Sequence, residues 1–560
     1  MRNKLKKGVA KPKHHLHKMP TIEISKKDLC SITGKNLSSS QLEEVLQYAK
    51  ATVESVQGDV LKIEAGDANR PDLWSAEGIS REIKGHLGIE TGMPRYKAEQ
   101  SEFILKNNGV RARPVIACAV VKNLKLNDEA IKQIVQLQEK LCENFGLKRK
   151  EAALGVYDFD RIKWPISYSE LGNDEIKFVP LGMNEALSPK EILQRHEKGI
   201  QYRHLLESGK YPIIIDSAKQ VLSMPPVINS DYTGKVSEKT KNVFIEVTGN
   251  SFRFILPILN IMAAALAERG GKIYSVKVTG KNPITTPNLE PVRARLDVQY
   301  CNRILGTAFN EKEICKLLEK ARFSAKQSGK FIEVLYLPYR QDIMDERDLI
   351  EDVAIAYGYQ NLKPDEAKIS TIGKAQGLSY AKNRITEMLI GLNMQEAATF
   401  SLSSKDTLFR KMNLPETEVV EVSNPVSVTY SCLRNSVMPG ILDFLSQNIK
   451  KEMPQKIFEI GECYSATEQK TMNKLCIAIT HKDANFTEIK QILDYIAKTM
   501  NIECSINEAS NSSFLEGRTG IIRAGKNVIG ILGEVSPKVL SEFGIEMPVA
   551  LLEIDLDVFN

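Results

Sequence analysis

The chain has 560 residues, 42% hydrophobic and 26% charged, a balance that belongs to a globular protein of several domains. Its apolar runs all fall short of the about 18 residues of a membrane span. Its nine cysteines show neither CxxC nor zinc-type Cys/His spacing, which excludes a zinc ribbon and fits buried free thiols in a reducing compartment. The formal charge of +6 resides in the first eighteen residues, MRNKLKKGVAKPKHHLHK, because removing their seven cations leaves −1.

In chain order, residues 1–18 read as a basic, disordered tail, either solvated or touching nucleic acid. The tail has no apolar core of a signal peptide, so export is not expected, and Met19 is an alternative start. Residues 19–100 read as a small α+β domain. TIEIS is a strand, a helix follows a cap at SKKDL, and SSSQLEEVLQYAKATVESV (38–56) reads as a second Ser-capped helix. DVLKIEAGDANRPDLWSAEGISREIKGHLGI reads as strand, turn and helix. Residues 110–280 form a larger α+β domain. It holds the strand PVIACAVV, the amphipathic helix DEAIKQIVQLQEKLCENF, the strand PIIIDS, the loop VLSMPPVINSDYTG and the strand NVFIEVTG. The apolar stretch 254–267 carries Pro257 and Asn260 and reads as a buried helix. A compact unit at 290–365 has the strand RARLDVQY, the helix NEKEICKLLEKA and the strand FIEVLYLP. A mixed domain fills 370–560. Of seven histidines, three lie in the tail, so a His-based centre would need His86, His196, His204 or His481.

The stretch YRQDIMDERDLIEDVAIAYGY (339–359) crowds six carboxylates beside two arginines. Read as a helix from about Asp348, it puts Leu349, Val353, Ala356 and Tyr357 on one face and Asp348, Glu351 and Asp352 on another. Asp342 precedes them on a turn. Three readings stay open: acids complementing a helix dipole, a solvated face, or oxygen ligands for Mg²⁺ or Ca²⁺. A metal-dependent phosphotransferase shows similar clusters.

NRPDLWSAEGISREIKGHLG (69–88), YCNRILG (300–306), the acidic stretch, LRNSVMPGILDFLSQN (433–448) and KIFEIGECY (456–464) occur in that order. This ordered set closely resembles the beta subunit of phenylalanyl-tRNA synthetase in its archaeal and eukaryotic form. VLSMPPVINS with EVTG points to that branch. The resemblance implies a chain that supports ATP-dependent attachment of phenylalanine to tRNA(Phe). It implies a cytoplasmic assembly of two alpha and two beta chains, with ATP and phenylalanine held on alpha. It also implies an editing domain, a winged-helix-like unit and a class II synthetase-like domain without catalytic residues for aminoacylation. In that family D-x5-D-x2-E-D binds Mg²⁺ near the alpha chain, a pattern met here by Asp342, Asp348, Glu351 and Asp352.

The helix of the winged-helix-like unit, NEKEICKLLEKARF, is charge-balanced, so it reads as a structural module rather than a phosphate-binding one. Arg434 sits where active relatives contact ATP, and reads here, with Asn448, as packing. Editing would hydrolyse misattached tyrosine, because an apolar pocket rejects one added hydroxyl poorly. Its candidate polar groups are Ser223, Asn229, Ser230, Glu246 and Thr248, with His204 upstream and Pro225 and Pro226 stiffening the loop. The rival functions are a free-standing tRNA-ester hydrolase and a phosphotransferase.

Overall fold

The chain is a multidomain α+β protein, and its computed structural model describes residues 20–66, 69–206, 209–367 and 369–559. The basic tail lies outside the described residues. Two compact units divide after residue 366. Among the described residues no helix is long and apolar enough to cross a membrane.

The first unit begins with strands Thr21–Ser25, Val60–Ala65 and Ala51–Gln57, antiparallel, with the 60–65 strand in the middle. Alternation along the first and middle strands turns Ile22, Ile24, Leu61 and Ile63 inward. Ser25 caps helix Lys26–Thr33 by accepting from the Asp28 amide, and Gly34 ends it in left-handed backbone. Ser38 and Gln41 close a capping box over helix Ser39–Leu46. The helix expected to run to residue 56 stops well before it. Lys50 turns the chain at φ 53°, and Ala51–Gln57 pairs as a strand. Its β-branched Thr52, Val53 and Val56 suit a sheet with a partner alongside, and that pairing outweighs the helical pattern.

An eleven-stranded sheet follows. At one end, strand Val115–Lys122 lies between Lys272–Gly280 and Val243–Gly249, and Ala152–Asp158 forms the edge. All seven residues of Val243–Gly249 are buried, because that strand is paired on both sides and helix Phe252–Glu268 covers one face. This helix is the buried apolar stretch of the sequence, with Pro257 inside it. VLSMPPVINSDYTG is a hairpin rather than a loop. Val221–Met224 pairs with Ile228–Asn229 around the cis Pro225–Pro226 peptide, and Ser230 then caps a single helical turn, Asp231–Gly234. Ile22, Leu46, Trp74 and Ile79 share one core with Ile245, Ile258 and Met262, so the amino-terminal module packs against this helix-covered face.

The unit closes with strands Val292–Asp297, Phe331–Tyr336 and Ser324–Ser328 and helices Val298–Leu305, Glu311–Lys320 and Glu346–Tyr357. The end of the expected strand RARLDVQY is helical instead, since the Asp297 carboxylate accepts from the Tyr300 amide and starts a helix there.

The second unit is a seven-stranded sheet, in the order 395–396, 455–465, 470–480, 549–555, 527–535, 514–524 and 504–508. It is antiparallel apart from its first short pair. Period-two alternation divides strand Lys470–Thr480 between two cores. Leu475, Ile477 and Ile479 meet Ile489, Leu493 and Ile496 of helix Phe486–Met500. Cys476 and Ala478 meet Ile441 and Leu442 of helix Met438–Gln447.

Candidate functional site

A cavity of about 300 Å³ opens at the edge of the large sheet. Helix Asp128–Lys140 supplies one wall through Ile131, Ile134, Val135 and Gln138, the 221–229 hairpin another through Pro225 and Pro226, and the edge strand a third through Ala153, Leu154 and Val156. The unpaired carbonyls of that edge are used: Gln138 Nε2 donates to Leu154 O at 2.8 Å, and Asn229 Nδ2 to Val156 O at 3.4 Å. Glu246 lies at the base, on the neighbouring strand and in register with Gly155.

Glu246 is buried, and its two oxygens differ. Oε1 accepts from Tyr157 Oη at 2.9 Å. Oε2 has no hydrogen-bond partner among the described residues. Burial pushes the carboxyl up to about 7, while the Tyr157 hydrogen bond and the Arg113 charge pull it only part of the way back. Burial and the Glu246 charge raise the Tyr157 hydroxyl well above its ordinary value, so Tyr157 is a neutral donor near pH 7. A buried acid with an unpartnered oxygen beside a small apolar cavity is a candidate for binding a hydroxyl.

The expected editing residues part ways here. Asn229 and Glu246 line the cavity. Ser223 is buried, paired across the hairpin with Asn229, and its hydroxyl has no hydrogen-bond partner among the described residues. Ser230 is a helix cap. Thr248 is buried and taken by Arg113, which donates to its hydroxyl at 3.2 Å and its carbonyl at 2.6 Å. His204 is exposed, its Nδ1 3.1 Å from the Gln201 carbonyl, and stands outside the cavity. Sequence reasoning missed Gln138, Arg149, Tyr157 and Lys198. None of them left a local signal in the sequence; Arg149 ends a turn in which Leu147, Lys148 and Arg149 sit consecutively in left-handed backbone, φ 51°, 54° and 64°, at about 1–3 kcal/mol each. This turn sets the Arg149 guanidinium to donate to the carbonyls of Pro226 and Val227, both at 3.0 Å.

The acidic stretch is built differently from the expectation. Arg340 grips both oxygens of Asp342, at 2.8 and 2.6 Å, and reaches Asp352 at 2.6 Å. Asp348 accepts from the amides of Met344 and Asp345, both at 2.7 Å, and so caps its own helix. Glu351 pairs with Lys50 at 3.1 Å. Burial would push the Asp342 carboxyl up, but Arg340 and Arg70 hold it well below the ordinary carboxylate range. In this arrangement a guanidinium stands where Asp342 and Asp352 meet, and backbone N–H groups meet Asp348. Among the described residues no group of three or more His, Cys, Asp or Glu side chains is placed to hold a metal.

Comparison with known proteins follows the same segments. A model of the B3/4 domain matches residues 120–255, which contain Gly155, Tyr157, Asn229 and Glu246. A tRNA synthetase B5 domain matches 294–359, and the phenylalanyl tRNA synthetase beta chain CLM domain matches 366–556. The phenylalanine–tRNA ligase beta subunit of Pyrococcus abyssi is 41% identical over 555 residues, covering 96% of this chain and 99% of that protein. The chain belongs to the phenylalanine–tRNA ligase beta-subunit family. Its relative from Methanococcus aeolicus is 37% identical, covering 96% of this chain and 100% of that protein. The crystal structure of an N-terminal fragment of the phenylalanyl-tRNA synthetase beta-subunit from Pyrococcus horikoshii matches at TM-score 0.59 and 43% identity, covering 61% of this chain and 100% of that chain.

In this member of the beta-subunit family Arg434 is an internal tie. It is buried, pairs with Glu459 at 2.8 Å, and donates to Thr399 Oγ1 at 2.8 Å and to the Glu462 carbonyl at 2.9 Å. Asn448 closes its helix by donating to the Phe444 carbonyl at 2.8 Å.

Two outcomes are expected. The raised Glu246 carboxyl favours the folded state while protonated, so that contribution is whole below the unfolded value near 4.5 and is lost as pH rises through about 7. Glu246→Gln removes this pH dependence. Denaturant melts should show it more stable than the parent at pH 8, by on the order of 3 kcal/mol, and nearly level with it at pH 4.5. EDTA should leave the thermal midpoint of the chain unmoved, whereas Arg340→Gln, which strands two buried carboxylates, should cost about 3–5 kcal/mol. A midpoint that EDTA lowers and Mg²⁺ restores would instead favour the cation.

Proposed function

We propose that this chain, as the beta subunit of a phenylalanine–tRNA ligase, hydrolyses tRNA(Phe) carrying misattached tyrosine in the cavity based on Glu246. The observation that carries the reading is the buried Glu246 carboxyl at an apolar cavity, with its Oε2 unpartnered among the described residues. A tyrosyl side chain would enter past Ala153 and Pro226 and donate its phenol hydrogen to Oε2. A phenylalanyl side chain would leave that buried oxygen unpaired, at about 1–3 kcal/mol. This inverts the weakness of a purely apolar site, since a pocket built to bond a hydroxyl rejects the analogue that lacks one. Arg149, Lys198 and Lys235 border the cavity and supply the positive charge that a tRNA end needs.

The rest of the reading follows the family. Aminoacylation, with ATP and phenylalanine, belongs to an alpha partner, in a cytoplasmic assembly of two alpha and two beta chains bound to tRNA(Phe). The unit at 290–365 is a winged-helix-like structural module, and 370–560 a catalytically degenerate class II synthetase-like domain. Asp342, Asp348, Glu351 and Asp352 would hold Mg²⁺ near the alpha chain in the assembled enzyme, and in the chain alone Arg340, Lys50 and backbone amides meet them.

The test is deacylation by the assembled enzyme. Glu246→Ala and Asn229→Ala should each slow hydrolysis of tyrosyl-tRNA(Phe) by roughly tenfold or more, with phenylalanine attachment little changed. Wild-type hydrolysis in both variants would move the editing site elsewhere.

A further inference from the structure

We propose that Tyr157, laid across Gly155, is a positioning residue of this cavity: its one hydroxyl hydrogen ties down Oε1 of Glu246 and leaves Oε2 as the acceptor offered to a ligand hydroxyl. The ligand rests on the editing reading, while the positioning rests on geometry alone.

Tyr157 and Gly155 are two residues apart on the edge strand, so their side-chain positions share one face. The Tyr157 side chain reaches back over Gly155 to the strand beside it. A Cβ at 155 would stand 2.3 Å from Tyr157 Oη and 2.7 Å from Glu246 Oε1, distances no side chain tolerates. Gly155 is absent from the positive-φ residues, so glycine serves there for space and not for backbone freedom. The ring is held from behind by Phe244, with centroids 5.7 Å apart.

Tyr157 Oη also lies 3.2 Å from Asn229 Oδ1. One hydrogen therefore faces two acceptors, and the shorter contact is the carboxylate. Asn229 is oriented by its own donation to Val156 O, which keeps its amide oxygen toward Tyr157. The hydroxyl is thus fixed from both sides, and with it the Glu246 rotamer.

The other titratable groups around Glu246 do not compete near neutral pH. Cys118 on strand 115–122, Tyr168 on strand 166–171 and Cys142 at the end of the helical wall are all raised by burial and by the Glu246 charge, so they stay neutral. Arg113, ahead of strand 115–122, stays cationic, and Arg149 and Lys198 lie at the border of the cavity. A proton exchanged near neutrality therefore belongs to Glu246.

The experiment reads Glu246 directly. In the assembled enzyme the carbonyl stretch of protonated Glu246 is followed by difference infrared titration, with Glu246→Gln identifying the band. Tyr157→Phe keeps the ring and removes the hydrogen bond that stabilises the carboxylate. The midpoint should rise by about one pH unit, and the acid limb of tyrosyl-tRNA(Phe) hydrolysis should move with it. Selectivity, as kcat/KM for tyrosyl over phenylalanyl ester, should fall roughly tenfold. Gly155→Ala, which displaces the ring, should act in the same direction. If Glu246→Gln abolishes hydrolysis while Tyr157→Phe leaves the midpoint in place, the positioning role is overturned and the editing reading stands. If the midpoint shifts but neither variant alters hydrolysis, the positioning role stands and the editing reading falls.

Discussion

Three buried arginines hold the first unit together. Arg70 pairs with Asp72 and Glu82, each at 2.9 Å, and stands 3.8 Å from Asp342; Arg81 reaches Asp72 at 3.3 Å; Arg340 joins Asp342 to Asp352. The groups come from the amino-terminal module and from the segment around helix Glu346–Tyr357, far apart in sequence. Burying any one alone would be prohibitive, so each is tolerated only because the others are in place. Aromatic faces complete the shell, with Arg81 4.2 Å from the Tyr339 centroid and Arg340 4.8 Å from that of Phe323. A second set runs on to the large sheet. Lys84 pairs with Glu268 at 3.2 Å, and Arg269 meets Asp28 and Glu77 at the end of helix Phe252–Glu268. That helix lies against the strand bearing Glu246, so the charge network and the cavity belong to one mechanical frame.

Two buried carboxyls in this frame show how environment sets role. Asp342 and Glu246 both carry the desolvation cost that raises an acid. Asp342 meets a guanidinium edge-on with both oxygens, and the pairing more than offsets the cost. Glu246 receives one neutral donor and has one buried oxygen unpartnered among the described residues, so the cost is only partly offset. Full pairing marks the first as a structural tie. Partial pairing beside a cavity supports the proposed role of the second as a group held ready for a ligand.

Local patterning carried much of the secondary structure. Ser25, Ser38 and Asn310 announce helices that begin where their caps lie, and the alternation in FIEVLY matches strand Phe331–Tyr336. The misreadings share a cause. ATVESV became a strand and VQY a helical turn because a partner strand or a capping Asp297 outweighed a neighbouring pattern. VLSMPPVINS read as a loop because its prolines and asparagine are turn formers; the prolines do form the turn, but Asn229 lies in the second of the two short strands.

The sequence by itself determined the family, the α+β class and two of the groups that line the cavity, Asn229 and Glu246, because ordered motifs and polar residues on an apolar strand are visible one residue at a time. Only the tertiary structure decided what meets each carboxylate. Spacing put Asp348, Glu351 and Asp352 on one helical face, but a charge cluster is resolved by what comes to meet it. Here that is Arg340 from the preceding turn and Lys50 from a module some 300 positions earlier in the chain. The same holds for Tyr157 and Gly155. Their meaning depends on a strand nearly ninety residues away whose register puts Glu246 opposite a glycine, and register across a sheet is set by long-range packing, which no local pattern encodes.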